Sequence, residues 1–101
     1  MLVQFNYSAV PSSDALEDFV RAELDKAIAR FESRLTRVEV HLADMKSKRT
    51  GPDDKRCRLE ARPKGRDPFL AEDTADDLYR AVSGAVGKLE RMLMTRLDPH
   101  S

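Results

Sequence analysis

The amino-acid sequence predicts a two-layer α+β domain with the element order β-α-β-β-β-α, in which both helices pack on one face of a four-stranded sheet. Four short segments alternate apolar and polar residues at the two-residue period of a strand, and two longer segments repeat apolar residues at the three- or four-residue spacing of an amphipathic helix. The first helix joins the first two strands. A right-handed crossover makes these strands parallel if they are neighbours, and the later strands can form an antiparallel meander. The other face of the sheet is expected to be open or partly open to solvent.

The first strand is predicted over residues 2–7, where apolar and polar side chains alternate, and Pro11 follows it. A serine cap at residues 12–13 is expected to begin the first helix. Asp14 and Glu17 then place negative charge at the positive end of the helix dipole. The apolar stripe predicts a helix of about five turns. The members of this stripe are Leu16, Phe19, Val20, Leu24, Ala27, Ile28, Phe31 and Leu35.

Two further strands follow, and the second strand of the sheet is expected to end near Asp44. A turn-rich loop that includes residues 51–54 leads to the third strand. A short fourth strand is predicted at residues 69–72, and Thr74 with Asp77 resembles a capping box for the last helix. The inward-facing residues of the second and third strands are predicted to be Val38, Val40, Leu42, Cys57, Leu59 and Ala61.

The last helix is predicted to divide into an apolar side and a basic side. Arg80, Gly84, Lys88 and Arg91 fall opposite the apolar stripe. The stripe consists of Leu78, Val82, Ala85, Val86, Leu89, Met92 and Leu93. The 101-residue chain is long enough for one small domain, which we expect at residues 1–97 with a frayed tail at residues 98–101.

Charge is balanced in number but uneven in position. The chain carries 18 basic and 18 acidic residues, so its net charge gives no overall attraction to nucleic acid or membrane. Residues 36–66, however, contain 10 basic and 5 acidic side chains. A protein that contacts phosphates could use this basic segment, while the acidic remainder keeps non-specific binding weak.

The sequence gives little support for catalysis, a cofactor or a metal. Alternation places Cys57 toward the core and His41 away from it, so no Cys-His pair is expected. The acidic clusters lack metal-loop spacing, and no glycine-rich strand-to-helix turn is present. The chain has a single cysteine, no signal-like start and no apolar run near the ~20 residues of a membrane span. We therefore predict a cytoplasmic, non-enzymatic protein with no membrane partner and no small-molecule substrate.

Cations on the helices form candidate contacts for an RNA backbone. Lys26, Arg30 and Arg34 have the spacing i, i+4 and i+8, which places them in line about 6 Å apart on a helix. Arg37 extends this line. Arg80, Lys88 and Arg91 form a second line, and Gly84 between them would let an RNA backbone come close. Two such lines could flank a groove that fits folded RNA by shape and charge. The alternative is that these cations lie on ordinary solvated helix surfaces and pair with nearby carboxylates.

A second basic surface is predicted in the loop after the second strand, at Lys46, Lys48 and Arg49. It also includes Lys55, Arg56, Arg58, Arg62, Lys64 and Arg66. Cations on an edge strand also prevent edge-to-edge aggregation, so this alternative stays open. Aromatic residues fall mostly at apolar positions, so we expect them in the core and not in base stacking on the sheet.

The end of the chain carries a family resemblance. The sequence AEDTADDLYRAV at residues 71–82, followed by KLER at residues 88–91, resembles the ribosome hibernation factors, also called ribosome-associated inhibitors or sigma-54 modulation proteins. The resemblance spans nearly the whole chain and implies a fold like the double-stranded-RNA-binding domain. Ser83 and Ser8 differ from the Asp and the basic residue usual at these places in the family. Without a linker and second domain, the chain resembles a short form or an outlying paralogue.

The resemblance implies a factor that binds 16S rRNA in the small ribosomal subunit, and the 70S ribosome, near the decoding centre. Such a factor would block the channel for messenger and transfer RNA and inhibit translation under stress. The alternative is a protein-binding regulatory module of the same fold, which would use its exposed sheet face and would not bind ribosomes. A weak homodimer is compatible with either function. We expect no cofactor.

Overall fold

The four strands and two α-helices follow each other in the predicted order. A computed structural model describes residues 1–46 and 51–97. The strands are β1 (Leu2–Ser8), β2 (Leu35–Asp44), β3 (Lys55–Pro63) and β4 (Phe69–Ala75), and the α-helices are α1 (Asp14–Ile28) and α2 (Leu78–Leu97). A 3₁₀ helix at Ala29–Arg34 connects α1 to β2. Lys48, Arg49 and the predicted tail at 98–101 lie outside the described residues.

The sheet has the predicted topology. Its strand order is β1-β2-β3-β4, with β1 parallel to β2 and the other two pairs antiparallel. One row of paired residues crosses the sheet from Phe5 through Val40 and Leu59 to Ala71. Both helices cover the face that carries this row, because their buried stripes join the inward-facing strand residues in one core. The α+β class and the placement of both helices on one face are therefore confirmed.

The predicted five-turn first helix is wrong in its last part. The α-helix ends at Ile28, whose backbone angles of φ −128° and ψ 11° leave the helical region, and the chain continues as the 3₁₀ helix. Phe31 and Leu35 are buried as predicted, but Leu35 is the first residue of β2. An apolar spacing of three and then four residues fits a 3₁₀ turn that enters a strand as well as it fits an α-helix, so periodicity did not separate the two.

The predicted start of the last helix is also wrong. β4 continues to Ala75, and Thr74 pairs with Arg56 of β3 instead of capping a helix. Asp77 is the capping residue, because its Oδ1 accepts a hydrogen bond of 2.9 Å from the backbone N–H of Arg80. The length of the neighbouring strand β3 explains the difference, since it offers pairing partners for three more residues of β4.

Caps and cross-layer contacts fix α1 against the sheet. The predicted serine cap is Ser13, whose hydroxyl accepts a hydrogen bond of 3.2 Å from the backbone N–H of Leu16. The hydroxyl of Tyr7 on β1 donates a hydrogen bond to Glu17 on α1. Burial, followed by this contact with Glu17, raises the pKa of Tyr7 to about 12. Neither helix among the described residues is long and apolar enough to cross a membrane.

Candidate nucleic-acid interface

The outward side of α2 carries the predicted basic line. Arg80, Lys88 and Arg91 are all exposed and lie away from the buried stripe of the helix. Lys88 extends toward β4, where its Nζ donates to the carbonyl oxygen of Glu72 at 2.9 Å and to Oδ1 of Asp73 at 3.1 Å. This position lets Lys88 link the helix to the fourth strand.

Arg80 also has carboxylate neighbours. Its guanidinium lies 3.4 Å from Oδ1 of Asp76 and 3.5 Å from Oδ2 of Asp77. Its side chain is 73% exposed, and that of Lys88 is 48% exposed. Ion pairs as exposed as these contribute roughly 0–1 kcal/mol because water screens them. Both cations therefore remain available to an incoming phosphate group.

Gly84 does not leave space for an RNA backbone as predicted. A Cβ placed on Gly84 would lie 1.7 Å from Oδ2 of Asp73 and 2.6 Å from its Cγ. Because Gly84 has no side chain, the carboxylate of Asp73 fits beside it, and this carboxylate contacts Lys88. The glycine is needed for packing of α2 on β4.

The predicted line of cations on the first helix is not formed. Lys26 lies on α1, but Arg30 and Arg34 belong to the 3₁₀ helix, so the three residues do not share one α-helical face. Lys26 pairs with Glu23 at 3.2 Å, and the guanidinium of Arg30 lies 4.8 Å from the ring centre of Phe31.

Arg34 and Arg37 are also placed differently from the prediction. Nη1 of Arg34 donates to the carbonyl oxygen of Leu97 at the end of α2. Arg37 lies on β2 with its guanidinium 3.2 Å from Glu39, on the sheet face opposite the helices. Arg37 therefore does not extend a helical line.

A groove does lie between the two helices, but it differs from the predicted RNA groove. Among its lining residues are Lys26, Glu23 and Glu90. The hydroxyl of Ser83 donates to Glu23 across the groove at 3.0 Å. Two carboxylates beside one cation repel phosphate, so the outward side of α2 is the better surface for RNA.

Cations of the predicted second basic surface lie on different sides of the molecule. The open sheet face carries Arg56, Arg58 and Arg62 among carboxylates, whereas Lys46 is exposed just after β2 and Lys55 lies on the helix side of β3. Arg62 contacts Glu39 and Glu60 at 3.1 Å each, and this contact with Arg62 is the main reason that the pKa of Glu39 is lowered. β3 is an inner strand of the sheet, so protection of a free edge does not explain its arginines.

The sequence analysis did not predict that a cluster of cations forms at the end of α2. We call it the basic end, and it consists of Arg34, Lys64, Arg66 and Arg96. Nη1 of Arg66 donates to the carbonyl oxygen of Arg96 at 3.0 Å, and both guanidinium groups lie 5.6 Å from the ring centre of Phe69. The backbone N–H of Lys64 donates to the carbonyl oxygen of Arg34 at 3.0 Å.

No cation of the basic end forms an ion pair within residues 1–46 and 51–97. Positive charge at this position is favourable because the carbonyl groups at a helix C-terminus carry partial negative charge. The sequence prediction placed Arg34 in the line of the first helix and Lys64 and Arg66 in the second basic surface, but it did not bring them together with Arg96 in the last turn of α2. The other three cations come from distant parts of the chain, and only the fold brings them to this helix end.

Comparison with known proteins places this α+β domain in a family. Residues 3–98 match the family model described as sigma 54 modulation protein / S30EA ribosomal protein. The chain belongs to this family. Family members are ribosome-associated proteins and not enzymes, in agreement with the sequence prediction.

Two solved structures share the fold of this family member. A ribosomal subunit interface protein from Coxiella burnetii is 20% identical, with a TM-score of 0.78 over 94% of this chain and 96% of that chain. The N-terminal domain of Protein Y from Thermus thermophilus is 21% identical, with a TM-score of 0.74 over 94% of this chain and 98% of that domain. No significant match was found among curated proteins.

Within residues 1–46 and 51–97, one group of potential metal ligands comes together, on the open sheet face. Glu39, His41 and Glu60 each bring one ligand atom to within 4.8 Å of the others. Both carboxylates already accept hydrogen bonds from arginines, so a divalent cation would have to bind beside two positive charges. This donor set fits a metal poorly. His41 lies away from the core as predicted, while Cys57 is fully buried and its pKa is raised to about 12 by that burial.

Proposed function

We propose that this family member binds 16S rRNA in the small ribosomal subunit, alone or within the 70S ribosome, and inhibits translation by blocking the channel for messenger and transfer RNA. Membership of a ribosome-associated family supports this proposal, as does the description of a protein with the same fold as a ribosomal subunit interface protein. The cytoplasm, where translation takes place, would be its site of action.

The observation that carries the proposal is the exposed basic side of α2, which leads to the basic end. Arg80, Lys88 and Arg91 share one side of the helix, and Arg80 and Arg91 are about 16 Å apart along its axis at 1.5 Å per residue. Several phosphate groups of folded RNA fit along such a length. Arg96 lies farther on, in the last turn, where its guanidinium group contacts Phe69. The exposed ion pairs of Arg80 and Lys88 can exchange their carboxylates for phosphates at little cost.

We expect this interface to recognise the shape and charge of RNA and not its base sequence. The open sheet face presents mainly charged and polar side chains, with no Phe, Tyr or Trp among the outward-facing positions of the four strands. Without such rings the sheet cannot stack bases in the way that RNA-binding sheets do. Binding would then consist mainly of phosphate contacts, which salt weakens strongly.

The proposal is tested by co-sedimentation of the purified protein with ribosomes and separated subunits at low and raised salt. The variant Lys88→Glu, Arg91→Glu is expected to lose binding at a salt concentration where the parent protein binds, because both phosphate contacts are reversed in charge. In milder Lys88→Gln and Arg91→Gln variants, the slope of log affinity against log salt should fall by about 0.7–0.9 per lost contact.

A matched control has the same change in net charge at another surface. Arg21 is on α1, where its guanidinium group lies over the ring of Phe5 of β1, and Arg58 is exposed on the open sheet face. The variant Arg21→Glu, Arg58→Glu should bind ribosomes nearly as well as the parent protein. Equal loss of binding in both double variants would indicate a response to total charge and would contradict the assigned surface.

The alternative function is protein binding through the open sheet face, and it predicts a complex that resists salt. This face has an interior of ion pairs around Glu39 and Glu60, with the exposed apolar residues Leu2 and Leu70 on the two outer strands. Protein interfaces usually have an apolar centre, which this face lacks. A complex that resists salt and is lost in the Arg58 variant would support this alternative and reject the RNA interface.

A further inference from the structure

A mostly apolar cleft of about 400 Å³ lies at the end of the molecule opposite the basic end. It forms where the segment after β1 meets the first turns of α1 and α2. Its apolar walls include Val10, Pro11, Leu16 and Leu78. This volume is within the range of small ligand sites, which typically combine apolar walls with a few polar groups. The RNA interface proposed above makes no use of it.

The backbone beside this cleft is strained. Ala9, which contributes to the lining, has φ of +58°, in the left-handed region that residues other than glycine rarely adopt. Such conformations persist only where the surrounding structure requires them, and they are frequent at ligand-binding positions. Here the strained residue turns the chain from β1 toward Val10 and Pro11, and both of these residues form part of the cleft wall.

The rim of the cleft is acidic. Asp44, Asp76 and Asp77 line it, together with Lys55. Lys55 contacts Asp54 at 2.7 Å and Asp44 at 3.6 Å. The pKa of Lys55 is raised, first by its hydrogen bond with Asp54 and also by the charge of Asp44, which indicates negative potential. Arg80 and Lys46 are further nearby cations, and with both included these four carboxylates exceed the cations by one charge.

An aromatic side chain completes the rim. Tyr79 is 44% exposed, and the edge-to-face contact of its ring with Phe19, at 5.0 Å between ring centres, holds it in place. The exposed part of such a ring attracts the ammonium group of lysine and the guanidinium group of arginine. The rim thus has carboxylates and an aromatic ring, both of which favour cations, around a cavity that favours an apolar side chain.

We propose that this cleft is a docking site for a peptide segment in which an apolar residue is flanked by lysine or arginine. The apolar side chain would enter between Val10 and Leu78, while the flanking cations would contact Asp76, Asp77 and the ring of Tyr79. Phosphate groups are repelled by the same rim, so the cleft does not form part of the RNA interface. Arg80 adjoins this rim through Asp76 and Asp77, so peptide and RNA would compete for that one contact. The 20 residues of α2 place the basic end about 30 Å from the cleft, which leaves room there for RNA beside a bound peptide.

The test is a titration of the isotopically labelled full-length protein with three blocked tripeptides, followed by amide chemical shifts. The peptide acetyl-Lys-Leu-Arg-amide is expected to give saturable shifts at residues 9–16 and 76–79. Acetyl-Lys-Gly-Arg-amide lacks the apolar side chain, and acetyl-Glu-Leu-Glu-amide reverses the charge. Both should bind at least tenfold more weakly, because each removes one of the two kinds of contact.

The variant Asp76→Asn, Asp77→Asn keeps the helix cap, since asparagine caps as well as aspartate. It should weaken binding of the cationic peptide about three- to tenfold. Asp67→Asn, in the exposed turn between β3 and β4, is the control and should leave binding unchanged. No ribosome is present, so the result is independent of the function proposed above.

Equal shifts with the cationic and acidic peptides, shifts centred on another surface, or no saturation at millimolar peptide would each overturn the proposal. Shifts at the cleft that depend on protein concentration without added peptide would also overturn it, because a second copy of the chain would then be the occupant. The three peptides also provide a test on the parent protein alone, in case the double variant does not fold.

Discussion

The contact between Gly84 and Asp73 gives a sharp prediction about stability. Replacement of an exposed helical glycine by alanine normally stabilises a protein by about 1 kcal/mol, because alanine loses less backbone entropy on folding. At Gly84 the new methyl group would lie 1.7 Å from Oδ2 of Asp73, so this side chain must rotate and lose its contact with Lys88. Overpacking of this kind costs about 1–3 kcal/mol. We therefore expect Gly84→Ala to be destabilising by up to about 2 kcal/mol.

Gly87 is the matched control on the same helix. A Cβ on Gly87 would lie 3.6 Å from Nη1 of Arg91, which is an ordinary van der Waals distance. Gly87→Ala should therefore stabilise by about 0.5–1 kcal/mol. At about 4–8 °C per kcal/mol for a domain of this size, a difference of about 0.5–3 kcal/mol between the two alanine variants corresponds to roughly 2–24 °C in Tm.

Urea unfolding and thermal melts of the two variants, followed by circular dichroism, give these values. A double-mutant cycle with Asp73→Ala isolates the clash, because removal of the carboxylate leaves only its Cβ, at 3.1 Å from the added methyl group. In that background Gly84→Ala should become much less destabilising or stabilising. A stabilising Gly84→Ala in the parent protein would refute the assigned packing of α2 on β4.

Three further predictions concern the helix cap, a tyrosine and the cysteine. Asp77→Ala should destabilise by about 0.5–2 kcal/mol in urea unfolding, whereas Asp77→Asn should change stability little, because only the cap hydrogen bond matters. Because the pKa of Tyr7 is about 12 when folded and 10.0 ordinarily, its contribution to stability should be full below pH 10 and lost as pH rises to 12. Tyr7→Phe should remove this loss of stability. Tyrosinate absorbance of the parent protein should show that Tyr7 ionises near pH 12 instead of pH 10. Native Cys57 should resist a thiol reagent that modifies it at once in urea, since it is fully buried; rapid modification of the native protein would contradict that burial.

Strand positions were predictable because the two-residue period separates the faces of a sheet without further information. Cys57 and His41 lie on opposite faces as their alternation indicated. The helix boundaries were less predictable. The apolar pattern of Phe31 and Leu35 gave their burial correctly but not their conformation, and the length of β4 depended on its partner strand.

The candidate site was predictable only where it depends on one helix. The period of α2 placed Arg80, Lys88 and Arg91 on the outward side. The partner of Lys88 on β4 could not be read from that period, because it depends on how the helix lies across the sheet. The basic end joins three parts of the chain, at residues 34, 64–66 and 96, which are about 30 positions apart, so no local pattern of the sequence contains it.

The opposite charges at the two ends of α2 give this protein an electric dipole moment despite its net charge of zero. The molecule measures 41 Å along its longest axis, and about 30 Å of helix separate the acidic cleft from the basic end. The field of a polyanion exerts a torque on such a dipole before contact is made. The protein would turn its basic end toward RNA during approach, and salt would slow association by screening this alignment as well as by weakening the final contacts.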